Sequence, residues 1–340
     1  MNGQAAIPGL GVVLLLAATA LNAQAQDAIF SQQELTPLNL DPALAGAVDD
    51  IGAHLIHRSQ WSSITDPFRT TGATLDARLG RNKQTSSAHA GKMGLGVSFL
   101  SDHAGAMKTT CADMALAYHV FLTPNSTFGA GITAGLLQTV MDQANGEWAS
   151  QYDGIRYDPG LSSGEAADTR GHSALDLGGG LLYTLWATDR GMPDDRSSLN
   201  IGVAGQHLGR PAITADGMDR IPIRWSAFIN GRWKFGQSQT YLDPGAYYYR
   251  QGPASQLLVG SYIGHRFGPS RVLQNDAVQL CMQLGAFYRI DDAVVAKALF
   301  QWDAYSMGMA YDITVSSLAS TNSGRGAAEI VLCYDLRTAR

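Results

Sequence analysis

The 340-residue sequence predicts an all-β fold, a transmembrane antiparallel β-barrel of about 14 strands with an irregular N-terminal segment in or under it. Three observations carry this. Segments of roughly ten residues alternate apolar and small or polar side chains from Ile51 to Leu336, the period of a strand with two different faces. Charged residues make up 16%, below the ~25% of a typical soluble domain, while glycine (38) and tyrosine (13) are abundant. After the first 25 residues no apolar run approaches the ~18 residues of a membrane helix.

The chain begins with an expected leader over residues 1–25. Gly9 to Leu21 is an apolar run too short to span a bilayer, and Ala23-Gln24-Ala25 is a small-x-small cleavage site. The alternative is a buried N-terminal helix, which no amphipathic period supports. No Cys follows Ala25, so no lipoprotein anchor is expected.

Residues 26–48 read as a plug-like segment, lumenal or periplasmic. Pro37 and Pro42 cannot donate ladder hydrogen bonds, so Thr36–Gly46 is not expected to form a barrel strand. Asp41-Pro42 favours a turn and Gly46 permits one. Irregular backbone cannot face lipid, so this stretch must sit inside the barrel or against its mouth.

Residues 49–340 read as the barrel. In Ala112–Leu122, Met114, Leu116, Tyr118 and Leu122 share one face, opposite Asp113, Ala115, Ala117 and His119. Over Ile223–Phe235, Trp225, Ala227, Ile229 and Trp233 oppose Arg224, Ser226, Asn230, Arg232 and Lys234. Val278–Tyr288, Val294–Trp302, Tyr305–Asp312 and Ala328–Leu336 alternate in the same way. A soluble exported sandwich also alternates, but here aromatic residues recur at strand ends, at Trp61, Phe68, Tyr118, Trp186, Trp233, Phe235, Tyr288, Trp302, Tyr311 and Tyr334. An interfacial girdle lies there.

On the first strand Arg58 and Gln60 share a face expected to point into the lumen, where they either bond carbonyls of the irregular segment or line a wet channel. Asp312 and Glu329 fall on the lumenal face of the last two strands, either paired with Arg58 across the closure or separately solvated. With a periplasmic N-terminus, strand one runs outward and the longest connection, residues 142–171, lies outside. Residues 81–91 and 187–198 are long for inner turns and are candidate contacts for periplasmic partners.

Nothing points to catalysis or a cofactor. The eight histidines show no HExxH spacing, and no GxSxG or phosphate loop occurs. Cys111, Cys281 and Cys333 show neither metal-ligand spacing nor a disulfide framework. The net charge of −5 argues against nucleic-acid binding.

Two stretches carry a resemblance. Asp27-Ala28-Ile29-Phe30-Ser31-Gln32, then Thr36-Pro37-Leu38-Asn39-Leu40-Asp41-Pro42-Ala43-Leu44-Ala45-Gly46, then His57-Arg58-Ser59-Gln60-Trp61 follow a QDPxFSQ, NPLxxNPAxAG, YRxQW pattern. They depart from it at Ala28 for Pro, Thr36 and Asp41 for Asn, and His57 for Tyr. Near the other end Ala310-Tyr311-Asp312, Ser316-Ser317-Leu318, Gly324 and Ala328-Glu329-Ile330 follow a YD…S.L…G..E.. ending. The chain thus resembles the PorP/SprF family, outer-membrane proteins of the Bacteroidota type IX secretion and gliding machinery.

The resemblance implies a non-enzymatic accessory role in a Gram-negative outer membrane, as a monomeric barrel within a larger complex. Implied partners are outer-membrane lipid, other secretion components and the C-terminal domains of secreted surface proteins. The alternative is a pore for small solutes. The residues expected to join plug and lumen are Phe30, Ser31, Gln32, Pro37, Leu38, Pro42, Ala43, Gly46, Arg58, Gln60, Trp61, Asp312 and Glu329.

Overall fold

The computed structural model describes residues 26–62, 67–80, 91–141, 148–162, 171–187, 197–214, 217–235, 238–267 and 280–336. The leader over 1–25, the pair Val278-Gln279 and most of 81–91 and 187–198 lie outside the described residues. The described residues form fourteen strands: β1 (Ile51–Gln60), β2 (Phe68–Leu79), β3 (Gly91–Ala104), β4 (Met107–Thr123), β5 (Ser126–Met141), β6 (His172–Trp186), β7 (Ser198–Gln206), β8 (Arg224–Lys234), β9 (Thr240–Gln251), β10 (Ala254–Phe267), β11 (Leu280–Arg289), β12 (Ala293–Trp302), β13 (Tyr305–Thr314) and β14 (Arg325–Leu336).

Each strand pairs antiparallel with its sequence neighbours, and β1 closes the sheet on β14. In that closure Ile51 lies opposite Leu336 and Arg58 opposite Glu329. Closure removes the unpaired edge that no sheet can present to lipid. The rim where β1 begins and β14 ends is called the lower rim below, and the other the upper rim.

The side-chain distribution is inverted relative to a soluble protein. Leu116, Ile132, Leu175, Trp225, Trp233, Ile263 and Leu284 are exposed on the outer wall, while Arg58, Asp176, Arg224, Lys297, Asp312 and Glu329 are buried. This follows from period two in a closed sheet: one face must meet hydrocarbon, the other the interior. Girdle aromatics Tyr118, Trp233, Phe235, Tyr288, Trp302 and Tyr311 are exposed at strand ends. No helix among the described residues is long and apolar enough to cross a membrane.

The interior is filled by the segment before β1. It makes short helical turns at Gln33–Leu35, Pro37–Leu40 and Pro42–Leu44, with Pro37 and Pro42 at first-turn positions where a missing N–H costs nothing. Asp27 meets Gln251 and Arg224, at the upper ends of β9 and β8. Gly46 meets Asp76 and Gly94, near the lower rim. The segment therefore runs the length of the lumen, from upper rim to lower, and then turns into β1.

Candidate functional site

The contact between this segment and the barrel wall is the most elaborate polar arrangement among the described residues. Its centre is Ser31. The Ser31 amide donates to Glu329 Oε1 at 2.6 Å and the Gln32 amide to Glu329 Oε2 at 3.0 Å. The Ser31 hydroxyl donates to Asp312 Oδ1 at 2.7 Å and accepts from Arg58 Nη1 at 3.0 Å and Arg289 Nη2 at 2.6 Å. Arg58 reaches Asp312 at 3.1 Å and also pairs with Glu329; Arg289 reaches Asp312 at 2.9 Å. Two guanidiniums and two carboxylates thus balance in charge around one buried hydroxyl. Removing any member leaves a buried partner uncompensated. The register places them: Arg58 and Glu329 are directly opposed, and the β13–β14 ladder shifts between Tyr311 and Ile313, at Asp312. Bulges of this kind re-aim a side chain.

Two more charged contacts flank this one. Glu34 accepts from Lys297 Nζ at 3.1 Å and from the Tyr262 hydroxyl, and Lys297 lies 3.7 Å from the centre of the Phe287 ring. Near the upper rim Asp27 Oδ2 sits 2.7 Å from His207 Nε2 and 3.0 Å from Arg224 Nη1, while His207 Nδ1 is 2.7 Å from Asp176. Burial disfavours the charge on Asp27, yet His207 and Arg224 hold its carboxyl far below the usual carboxylate range. Burial likewise lowers His207, but Asp27 and Asp176 outweigh it and raise the imidazole to about 9.

Further along the segment the contacts change character. At the upper ends of β7 and β8, Arg224 Nη2 and Gln206 Nε2 each donate to Asn39 O at 3.1 Å, and the Ser226 hydroxyl donates to Leu40 O at 2.9 Å; the contacts that follow lie progressively lower. Asp41 caps its own turn by accepting from Ala43 N at 2.7 Å. Asp76 accepts from the Gly46 amide at 2.8 Å, and His119 Nε2 lies 3.0 Å from Ala45 O. Arg78 donates to the carbonyls of Gly46 (3.0 Å), Ala47 (3.3 Å) and Val48 (2.8 Å), and pairs with Asp50 at 2.6 Å. Gly46 has φ +59°, a conformation that favours glycine. A Cβ on Gly131 would strike the backbone of Pro42 and Ala43, and one on Gly94 the Ala45 carbonyl. The wall is bare where the segment's backbone lies against it.

The residues singled out from the sequence distribute as follows. Ser31, Gln32, Arg58, Asp312 and Glu329 come together in the central cluster, and Gln60 Oε1 accepts from Arg58 Nε at 3.4 Å. Phe30 packs with Ile56, Val331 and Cys333, and Leu38 with Ala45, Ala115 and Ala117. Ala43 is fully buried in the largest apolar cluster, with Leu40, Leu182 and Phe228. Pro37 and Pro42 open short turns, and Gly46 closes against the lower wall. Trp61 stands apart: it follows β1 at φ +56° and packs on Phe68, ring centres 5.1 Å apart. The carbonyls that sequence reasoning offered to Arg58 are bound by Arg78, Arg224 and Gln206 instead, because Arg58 is held by carboxylates and the Ser31 hydroxyl.

Sequence reasoning missed Glu34, Asp27, Arg289, Lys297, Arg78 and His207. Lys297 and Arg224 stood on polar strand faces, the one signal available. Their partners depend on the path of the segment through the lumen.

The model of a family described as type IX secretion system membrane protein PorP/SprF matches residues 22–334. No curated protein matches the sequence. Among solved structures, similarity extends to the toluene transporter TbuX of Ralstonia pickettii, at 12% identity, 90% of this chain, 94% of that one and a TM-score of 0.48. It also extends to a deltaS2S3 mutant of the monoaromatic hydrocarbon channel TodX, at 12%, 91%, 95% and 0.47. BamA of Haemophilus ducreyi lacking POTRA domains 1–3 follows at 9%, 84%, 70% and 0.43. A closed fourteen-stranded barrel with an apolar outer wall is an outer-membrane architecture, and the family match spans nearly all of it. The chain is an outer-membrane β-barrel that belongs to the PorP/SprF family of type IX secretion system membrane proteins.

Proposed function

We propose that this barrel is a plugged, non-enzymatic accessory component of type IX secretion. In this reading it helps export or retain surface proteins, or links the outer membrane to periplasmic parts of the machine. The observation that supports it is the lumenal segment itself. A small-solute pore needs an open path, and here the segment crosses from rim to rim with charges, hydroxyl and carbonyls bound by the wall. The cavity beside Phe30, Gln33 and Thr36 measures about 30 Å³, room for about one water. Such a lumen suits an anchor better than a conduit.

The lower rim is periplasmic in this reading, because the two longest connections, over 142–171 and 207–223, both leave from the upper rim. Partners of the inner machine then meet the lower rim and secreted domains the upper. Affinity capture from native membranes tests it, comparing the full chain with one lacking Gln26–Gly46. Secretion components or surface-protein C-terminal domains are expected with the full chain and lost with the deletion. Equal recovery from a deletion barrel that still shows heat-modifiable migration removes the functional weight from the segment.

A further inference from the structure

We propose that the outer wall carries a binding groove for one acyl chain of a phospholipid, across β7 to β10 near the lower rim. The groove measures about 600 Å³. Its origin is a break in the barrel. Pro244, inside β9, has no N–H to give to a ladder. The β8–β9 ladder pairs Asn230 with Gly245 and resumes in the same register at Trp233 with Leu242, so Gly231-Arg232 and Asp243-Pro244 face each other without ladder pairing. On the lumenal side Arg232 bridges the gap, donating to both Asp243 oxygens at 2.8 and 2.6 Å. On the lipid side no side chain among the described residues fills it. Gly231 shares the outer face with Ile229 and Trp233, and a Cβ there would already strike the Ser198 carbonyl. The wall is thin at that point, with large side chains above and below.

The occupant follows from where the groove opens. It is continuous with the lipid-facing belt, for Ile229, Trp233 and Val259 are exposed on that wall. Its two ends differ. At the rim it is bounded by Asn125 and Ser197. Toward mid-barrel it ends on Ile229, Ala246 and Val259, which form one cross-strand row. The four residue steps from Trp233 to Ile229 span on the order of 13 Å along a strand. A polar mouth at headgroup depth, Trp233 beside it, and an apolar trough running inward match one lipid lying along the wall. A void facing hydrocarbon fills with what surrounds it. The choice of phospholipid rests on the orientation proposed above, which sets the groove in the inner leaflet.

Native mass spectrometry of the full-length barrel, delipidated in mild detergent, tests the assignment. The wild type is expected to retain one phospholipid. Ala246→Trp and Ala246→Leu, which fill the trough from outside, are expected to lose most of it. Leu116→Trp, at mid-barrel on β4 and outside the trough, is expected to keep it. Heat-modifiable migration reports folding of each variant. A wild type stripped clean, equal retention by Ala246→Trp and Leu116→Trp, or a retained lipopolysaccharide or polypeptide in place of phospholipid overturns the proposal. Should neither Ala246 variant fold, wild-type stoichiometry decides alone. None of these readouts depends on the lumenal segment, so they fail or succeed independently of the secretion role.

Discussion

Asp27 to Glu34 meets the barrel through ionised side chains; Asp41 to Val48 meets it through backbone groups and bare glycine surface. The first stretch packs Ile29 and Phe30 into apolar clusters, and its polar contacts are set by Asp27, Ser31 and Glu34, each bound to charged wall residues. The second stretch is covalently continuous with β1 and lies where side chains were removed from the wall. Backbone packed on bare glycine surface does not itself titrate, although the Asp76, Arg78 and His119 side chains that bind it carry ionisable groups. Buried ion clusters are intolerant of losing one member, and they respond to titration. The difference separates an anchored lower half from an upper half whose attachment depends on charge balance.

The sharpest way to break the comparison is at the central cluster. Arg58→Met leaves Glu329 and Asp312 facing Arg289 alone, and loss of one partner of a buried pair costs about 3–5 kcal/mol. The expected result is loss of protease protection over residues 27–34 while 41–48 stays protected, read by limited proteolysis and peptide mapping. Next in size, Gly131→Val drives a side chain into Pro42 and Ala43; overpacking of this kind costs about 1–3 kcal/mol. It should expose the lower half first, the reverse pattern.

The smallest expected effect is a pH dependence confined to the upper rim. His207 is raised to about 9, so its contribution is complete below its ordinary pKa and is lost as pH rises through about 9. Asp27 is depressed, so its contribution persists to pH well below the ordinary carboxylate range before protonation removes it. Hydrogen exchange over residues 27–31 should therefore accelerate above about pH 9 beyond the intrinsic rate, and His207→Gln should flatten that step. Exchange at Gly46, held by Asp76 and the bare wall, tests the contrast because it should not follow His207.

Much of this architecture was legible in the sequence. Period-two alternation located the strands because a barrel wall has only two environments, and the prolines excluded Thr36–Gly46 from the ladder. Pairing of Arg58 with Asp312 and Glu329 stood as one of two alternatives, because face parity and closure bring first and last strands into contact. The contacts of Lys297, Arg289 and Glu34 were not legible, because their meeting requires the height of each residue in the lumen, which alternation does not encode. Within Gly178-Gly179-Gly180, a Cβ at Gly180 would strike the Asp41 carboxylate, a contact that only the path of the segment reveals. Pro244 lay inside a strand where proline is unfavourable. The compensating Arg232–Asp243 pair is visible only once β8 and β9 are set side by side.

The central claim is that the segment from Asp27 to Val48 closes the lumen. Single-channel recording in planar bilayers tests it most directly, with the full chain and the Gln26–Gly46 deletion compared under the same salt and voltage. The full chain is expected to stay silent, and the deletion to open large, stable, ion-conducting steps. Large steady conductance from the full chain, or a folded deletion barrel as silent as the parent, would contradict the account.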